Sequence, residues 1–289
     1  MNDKLVILQP MKYYWAYFLL SLIVIIPGSY SLIRYGLSPS IDFTGGTTFV
    51  WQGDNLSQVI LEERAKELNI SLESIAQSGN TWTLATPPLA EGVYQQFKPL
   101  EVQELSFATV GPSLGAELIK KTIYGIALAA LFILTYVAYR FKNFKFGASA
   151  ILAMFHDSLV LLGVFSLLGH YYQVKVDTLF VTALLTILSF SVHDTIVVYD
   201  RIRELKKKHG YLEFPDLVNR AVVETMGRSL NNSLTIIFML LAMYLLGGET
   251  TKWFIFALLV GTISGTYSST FTAAPILILW DKLKKPPGR

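Results

Sequence analysis

The sequence contains no cysteine and only four histidines, and this scarcity excludes several kinds of functional site. Without cysteine the chain has no disulfide, no thiol nucleophile and no thiolate metal ligand. The histidines are scattered and lack the spacing of a metal-binding motif: His156, His170, His193 and His209. The sequence also shows no nucleophile and base pair and no phosphate-binding loop, so we expect neither an enzyme nor a bound metal or cofactor.

Charged residues are scarce too, at 16% of the 289 residues, whereas hydrophobic residues make up 52%. The mean hydropathy of +0.45 is too high for one soluble domain of this length and is typical of a polytopic membrane protein. The net charge of +3 is ordinary, and the lysines and arginines lie in loops instead of forming a groove for nucleic acid. These features predict an α-helical multi-pass membrane protein.

Six apolar runs are each about 20 residues long, the length that crosses a hydrocarbon core of roughly 30 Å. The runs are Tyr13–Ile33, Ile119–Tyr139, Gly147–Leu168, Asp177–Tyr199, Ser229–Leu246 and Trp253–Trp280. We therefore predict six transmembrane helices. We expect the first to be retained as a span, because no small-residue cleavage site follows it.

The positive charges predict how the helices are oriented. Of the 24 lysines and arginines, 16 fall on the side that carries both termini, so both termini are expected to be cytoplasmic. The predicted organisation is an N-terminal segment with the first helix, an extracytoplasmic domain, five further helices with a cytoplasmic loop, and a cytoplasmic tail. The corresponding residues are 1–33, 34–118, 119–280 with loop 200–228, and 281–289.

The long segment 34–118 is patterned as a small α+β domain, with strands, helices and a hairpin in the order β-α-β-β-α-β. That order is the ferredoxin-like split motif. The predicted elements are Thr44–Gln52, Ser57–Leu68, Ile70–Gln77, Thr81–Ala85, Gly92–Phe97 and Val102–Thr109.

Asp194 is the most informative residue, because it lies in the apolar fourth run. A carboxylate at bilayer depth costs roughly 2.5–3.5 kcal/mol on insertion scales, which favours a functional reason for its presence. Ser191 lies on its helical face, but no cation does, so a counter-charge must come from another helix. We predict that Arg228, at the start of the fifth run, pairs with Asp194 in a manner that depends on protonation of the carboxylate.

Structural alternatives remain open for the polar residues near Asp194. Arg228 can serve only as a topology signal or snorkelling side chain, and Asp157, next to His156, can be a hydrogen-bonding residue that holds the third helix to its neighbours. His193 points about 100° away from Asp194, which disfavours a direct relay between them. Asp194 itself can be purely structural. The candidate proton-coupling residues are Asp194, Arg228, His193 and Asp157.

Small and hydroxylated residues in the fourth and sixth runs form a second pattern. Gly261 and Gly265 have the four-residue spacing that lets helices approach closely, and hydroxyls can bridge helices or line a hydrated path. The sequence leaves packing and a hydrated path as alternatives. The residues concerned are Ser191, Thr195, Gly261, Gly265, Ser268 and Ser269.

Several segments together resemble the SecF family of the bacterial protein-export translocase. The resemblance spans nearly the whole chain, and the order of the segments matches the six predicted spans. The segments are Ile41–Thr47, Val110–Gly115, Tyr139–Phe141, His156–Asp157, Asp194–Glu204 and Gly265–Ser269.

The resemblance implies a subunit of the cytoplasmic (inner) membrane that pairs with a SecD-like six-helix subunit in an assembly similar to the resistance-nodulation-division exporters. It further implies a SecYEG-type channel and exported polypeptide as partners, with lipid but no nucleic acid. In that family the residues here numbered Asp194 and Arg228 are linked to proton conduction. Protein export would then be driven by the proton-motive force.

The sequence departs from the family pattern near both residues. His193 stands where the family usually has asparagine, and Ser229 follows Arg228 where the family tends to have threonine. Sodium therefore stays open as the coupling ion, since a carboxylate with neighbouring hydroxyls can hold either ion. A scaffold that only stabilises a channel or insertase, with Asp194 joining helices, is the alternative from another functional class.

Overall fold

The computed structural model describes residues 9–99, 102–141 and 143–284. The chain divides into two compact units. We call the unit formed by residues 1–37, 126–174 and 179–289 the membrane unit, and the unit formed by residues 38–125 and 175–178 the sheet unit.

Ten α-helices are found in the described residues, together with two short 3-10 turns, Pro10–Tyr13 and Glu249–Thr251. The first helices are α1 Tyr14–Tyr35, α2 Ile41–Thr44, α3 Gln58–Glu67, α4 Glu91–Phe97 and α5 Pro112–Phe141. The later helices are α6 Phe144–Tyr172, α7 Thr178–Lys208, α8 Phe214–Leu246, α9 Lys252–Ser268 and α10 Ala274–Lys284. Six segments are long and apolar enough to span a membrane, which confirms the prediction of six membrane helices.

The predicted cytoplasmic loop 200–228 is mostly helical, because α7 continues to Lys208 and α8 begins at Phe214. Hydropathy marks only the apolar part of a helix, whereas the charged ends of these two helices are stabilised by ion pairs one turn apart. The pairs are Arg201 with Glu204, Glu204 with Lys208, and Arg220 with Glu224.

The sixth span also differs from the single regular helix that was predicted. Between α9 and α10 the chain forms a π-helical turn, Ser269–Ala273. In such a turn each backbone N–H bonds to the carbonyl five residues earlier, instead of four as in an α-helix. Such turns bulge from the helix and occur often at functional sites. This one carries Ser269, a predicted site residue.

Within the membrane unit, α1 and α6 approach each other at two glycines. A Cβ atom added to Gly163 would lie 2.6 Å from the Cα atom of Gly28, so neither position has room for a side chain. Nearby, the hydroxyls of Ser31 and Ser166 are 2.8 Å apart and join the same two helices. The contact follows the rule that small residues let membrane helices pack closely.

Gly163→Ala is expected to destabilise the membrane unit by about 1–3 kcal/mol, because the added methyl group overpacks the contact between α1 and α6. Thermal unfolding of the full chain in detergent micelles measures this loss. Gly125→Ala is the matched control, since a Cβ there meets no atom within 4 Å. Replacing that helical glycine should be neutral or stabilising by about 0.5–1 kcal/mol. Equal melting temperatures for the two variants would contradict the assigned contact.

The sheet unit contains four strands: β1 Gly46–Gln52, β2 Ser74–Ser78, β3 Thr81–Thr86 and β4 Gln103–Val110. They pair in the order β2-β3-β1-β4, and every neighbouring pair is antiparallel. This topology confirms the ferredoxin-like prediction. The helix α2 was not predicted, and β2 begins four residues later than the pattern indicated. The predicted segment 34–118 overlaps this unit, which also includes the distant residues 175–178.

One face of the sheet packs on α3 and α4 through an aromatic core. Phe49 and Trp51 of β1 are fully buried there, beside Tyr94 of α4. Tyr94 donates its hydroxyl to Glu104 of β4 at 2.7 Å, and Lys98 contacts the same carboxylate oxygen at 2.6 Å.

These contacts shift the pKa values of two groups. Burial, followed by the hydrogen bond to Glu104, raises the pKa of Tyr94 to about 12. The hydrogen bonds from Lys98 and from Tyr94 lower the pKa of the Glu104 carboxyl. The ionised form of Glu104 therefore stabilises the folded sheet unit.

Glu104→Gln is expected to weaken the sheet unit by about 1 kcal/mol at neutral pH. Because the folded pKa of Glu104 lies below its unfolded value, its contribution is fully present above the unfolded pKa and is lost as pH falls through the folded pKa. Hydrogen exchange of β1 and β4 amides in the full chain measures the difference, and the amides of α6 serve as the internal control. A difference that persists undiminished in acid would contradict this role.

Candidate functional site

Asp194 is buried in the middle of α7, where its side chain is 5% exposed. Its Oδ2 atom accepts hydrogen bonds from the Ser229 hydroxyl of α8 at 2.5 Å and from the Ser269 hydroxyl of the π-helical turn at 2.6 Å. The carboxyl group thus joins three segments of the membrane unit. Both of its hydrogen-bonding partners are neutral.

Asp157 of α6 forms a second and more highly coordinated site. It is fully buried, and its Oδ1 accepts from Ser264 at 2.6 Å, while its Oδ2 accepts from Ser191 at 2.5 Å and from Ser268 at 2.6 Å. The Nδ1 atom of His156 lies 3.1 Å from Oδ1. Asp157 therefore links α6 to α7 and α9.

His156 extends the polar network to the first membrane helix. Its Nε2 atom is 2.9 Å from the hydroxyl of Ser21 in α1, and its ring stacks at 5.9 Å on the ring of Tyr267. The Tyr267 hydroxyl in turn donates to the carbonyl of Tyr17 at 2.6 Å. These contacts thus join α6 to α1 and to α9.

The two acidic sites share backbone elements. Ser191, which binds Asp157, lies one helical turn before Asp194 on α7. Ser268 and Ser269 are consecutive residues, yet the first binds Asp157 and the second binds Asp194. A displacement of either carboxyl group therefore acts on residues that hold the other.

The predicted small residues bring α9 against α7. Gly261 faces Ile187 so closely that no Cβ atom fits between them, and a Cβ on Gly265 would lie 3.4 Å from the Cβ of Ser191. Thr195 is buried and donates to the Ser191 carbonyl at 2.8 Å, within its own helix. This close approach brings the end of α9 and the π-helical turn after it to α7, where Ser269 binds Asp194.

The structure does not bring the side chains of Asp194 and Arg228 together. In residues 143–284, all of which are described, these two side chains form no salt bridge, and Arg228 is exposed. Arg228 and Ser229 are neighbours on α8 and point about 100° apart, so only one of them can face Asp194. Ser229 occupies that position.

Arg228 instead lines a cleft of about 680 Å³ formed by α7 and α8. Three acidic residues also line the cleft: Asp200, Glu204 and Glu224. His193 is exposed on α7, on the side away from the buried Asp194. Of the four predicted proton-coupling residues, the structure places only Asp157 and Asp194 in the interior network.

Sequence reasoning missed Ser264 and Ser21 as members of the network, and it did not assign Ser229 to Asp194. Ser264 lies one turn before Ser268 on the same face of α9, so the spacing could have indicated it. Ser21 shows no such signal, because its role depends on how α1 packs against α6.

The chemistry of the Asp194 site suits two protonation states. A serine hydroxyl can donate to a carboxylate or, after rotation, accept from a carboxylic acid. Both the ionised and the protonated carboxyl group can therefore be satisfied by Ser229 and Ser269. Among the described residues no group of three histidine, aspartate or glutamate side chains could hold a metal ion.

Comparison with known families gives a match to the C-terminal part of the SecD/SecF protein-export membrane proteins over residues 90–283. The SecF translocase subunit of Thermobaculum terrenum is 41% identical over 93% of each chain. The SecF subunit of Anaerolinea thermophila is 36% identical over 92% of each chain.

Solved structures of SecDF proteins are also similar to this chain. The crystal structure of the translocon-associated SecDF from Thermus thermophilus matches 94% of the chain with a TM-score of 0.85 and 32% identity. A super-membrane-facing form of SecDF matches 95% of it with a TM-score of 0.67 and 30% identity. The chain spans 38% of the length of each of these SecDF proteins.

Proposed function

The chain belongs to the SecF family of protein-export membrane proteins, and from this membership we propose that it couples proton movement to polypeptide export. Relatives that cover most of the chain are subunits of a protein translocase, and the chain is a membrane subunit of this kind. The driving force, the partners and the orientation are proposed below.

The observation that carries the proposal is the set of partners around Asp194. Asp194 is 5% exposed in a membrane helix and bound by two serines, and within the described part of the chain no cation pairs with it. Proton binding is then the direct way to remove its charge, which is costly at this depth. The hydroxyl partners leave the protonated form fully hydrogen-bonded.

The proposed mechanism follows from the change in hydrogen-bond direction. The ionised Asp194 accepts from both Ser229 and Ser269, and so holds α8 and the π-helical turn against α7. When a proton binds, the acid donates through its own O–H, and the serine that accepts this hydrogen can no longer donate to it. The contacts between the three segments weaken, which shifts the population between two packings.

Arg228 has a different role in this proposal from the ion pair predicted by the sequence. It lies in the charged cleft of α7 and α8, one residue from Ser229. We assign the cleft to the proton path between the cytoplasm and Asp194. Arg228 would tune the charge at the cleft and so control how readily a proton reaches the acid.

The partners and the location are those that the family membership suggests. The SecDF relatives join SecD and SecF in one name, and we propose a SecD-like subunit as the partner of this chain, beside a SecYEG-type channel and the exported polypeptide. The bacterial inner membrane, with both termini in the cytoplasm, agrees with the distribution of lysine and arginine. The action is proposed to be mechanical and not enzymatic.

Export into proteoliposomes that contain the chain, its SecD-like partner and the channel tests the proposal. An imposed proton gradient should stimulate export, and a pH step should change proton uptake and tryptophan fluorescence. A sodium gradient alone should not stimulate export. Stimulation by a sodium gradient but not by a proton gradient would show that sodium is the coupling ion. Export that responds to neither gradient would contradict the proposal that the chain couples ion movement to export.

The scaffold alternative is favoured by one specific observation, the saturation of Asp157. Four polar contacts on α6, α7 and α9 make that carboxyl group an interhelical junction. A scaffold would stabilise the channel equally at every gradient. We therefore assign Asp157 to the packing of the helices and Asp194 to proton binding. The gradient experiment distinguishes a scaffold from a proton-driven subunit.

A further inference from the structure

The four-residue helix α2 belongs to the sheet unit and begins four residues after the chain enters that unit at Leu37–Ser38. It follows α1 in sequence, and β1 begins at Gly46, two residues after α2 ends at Thr44. Ser40 caps α2 by accepting from the Asp42 amide at 3.2 Å. Gly45 and Gly46 have φ values of 75° and 137°, which permit the sharp change of direction into β1.

Asp42 of α2 binds the first residue of α7. Its Oδ2 atom accepts from the backbone amide of Thr178 at 3.0 Å and from the Thr178 hydroxyl at 2.8 Å. The carboxylate thus caps α7 from outside that helix, at the end where the helix dipole favours negative charge. Thr178 belongs to the sheet unit, whereas the rest of α7, from Leu179, belongs to the membrane unit.

The residues that lead into α7 are held to the same place by backbone pairing. Ser40 donates its amide to the Val176 carbonyl at 2.8 Å, and Val176 donates to the Ser38 carbonyl at 2.8 Å. Pro39 and Val176 form a parallel bridge, and the Val176 side chain is buried. We call residues 38–42 and 175–178 together the clasp.

The other side of α2 is fixed by α5. A Cβ atom on Gly115 would lie 2.7 Å from the Phe43 carbonyl oxygen, so α5 touches the backbone of α2 directly. A Cβ on Gly46 would likewise lie 2.7 Å from the Thr86 carbonyl of β3. Tight backbone contacts leave α2 little freedom to move independently of β1.

We propose that the clasp transmits the movement of α7 to the β-sheet, with Asp42 as the positioning residue that holds the two together. The inference rests on the proposed function, in which α7 moves when Asp194 gains or loses its proton. Because Thr178 is continuous with the rest of α7 and is held by Asp42, displacement of the helix pulls α2. Because α2 leads directly into β1, the central part of the sheet follows.

Loss of the clasp should affect export but not proton binding. The clasp lies outside the Asp194 site, so proton uptake should continue when the clasp is broken, whereas the movement of α7 no longer reaches the sheet unit. Asp42→Ala and Thr178→Val each remove hydrogen bonds of the clasp. Asp42→Asn keeps one acceptor oxygen and should retain part of the coupling. Thr178→Ser keeps both donors, the backbone amide and the hydroxyl, and should retain all of it.

The experiment compares proton uptake and gradient-driven export in proteoliposomes that hold the full chain, the partner and the channel. In Asp42→Ala and Thr178→Val, export should fall about tenfold while proton uptake stays within about twofold of the wild type. Asp54→Asn, at an exposed carboxylate elsewhere in the sheet unit, is the matched control and should behave as the wild type. Parallel loss of uptake and export would indicate a merely structural role and overturn the proposal.

A crosslink provides the second test, and the absence of native cysteine makes it specific. Residues paired across a bridge lie roughly 4.7–4.9 Å apart, within the roughly 4.4–6.8 Å range of Cα atoms in disulfides. Pro39→Cys with Val176→Cys should therefore form a disulfide, and in the Asp42→Ala background oxidation should restore export. Export that is blocked by the oxidised pair in the otherwise wild-type chain would show that the clasp must open, and would overturn the proposal.

The outcomes distinguish this inference from the proposed function. If wild-type export does not respond to a proton gradient, the proposed function fails before the clasp is tested. If export by the wild type and by Asp42→Ala responds equally to the proton gradient, the role of the clasp is contradicted, whereas the proposed function is kept.

Discussion

Asp194→Asn is expected to leave the subunit folded and assembled with its partner but to abolish export driven by a proton gradient. The asparagine has almost the shape of the protonated acid and keeps an acceptor oxygen for Ser229 or Ser269. It has no charged state, so the site remains fixed in one hydrogen-bonding arrangement. Stability should therefore change little, whereas the conversion between packings is lost.

Gradient-driven export in proteoliposomes should fall at least about tenfold, to the level seen without a gradient. Copurification with the partner, measured on the same preparation, checks assembly. Asp281→Asn is a matched control, because Asp281 contacts Lys145 at a partly exposed position of α10, outside the network. Coupling equal to the wild type in the Asp194 variant would refute the assignment of this acid.

Asp157→Leu is expected to have the opposite consequence, with loss of the folded unit instead of loss of coupling. The change leaves the hydroxyls of Ser191, Ser264 and Ser268 without their buried acceptor. Leaving a buried hydroxyl without a partner costs about 1–3 kcal/mol, so the loss over these three hydroxyls is a large part of the stability of a typical domain. The variant should fail to copurify with the partner.

The matched variant is Asp157→Asn, which keeps an acceptor and adds a donor, and should lose about 1–3 kcal/mol. Melting temperatures of the full chain in micelles should then decrease in the order wild type, Asn variant, Leu variant. A Leu variant as stable as the wild type would show that the junction contributes nothing to packing. Loss of coupling in a fully stable Asn variant would instead assign Asp157 to proton transfer.

Much of the fold follows from local patterns in the sequence. The six spans are set by the length of their apolar runs. The sheet is indicated by the strand-forming residues of β1, by the hairpin of β2 and β3, and by the alternating sequence of β4. The helix α2 escaped prediction because four residues are too few to show a period. Its position depends on contacts with Thr178 and Gly115, which are distant in the sequence.

The candidate site could be predicted only in part. The cost of burying Asp194 identifies it from sequence alone, but the partner of a buried acid is decided by the rotation of neighbouring helices. Arg228 and Ser229 are adjacent in the sequence, and the prediction chose the charged one. The π-helical turn that carries Ser269 has no pattern in the sequence that distinguishes it from an ordinary helix.

The peptide bond between Ser268 and Ser269 has a consequence for double mutants. Since one serine binds Asp157 and the next binds Asp194, the two carboxyl groups are anchored to adjacent residues of one backbone segment. Replacing both acids should therefore change the free energy of unfolding by an amount that differs from the sum of the two single replacements.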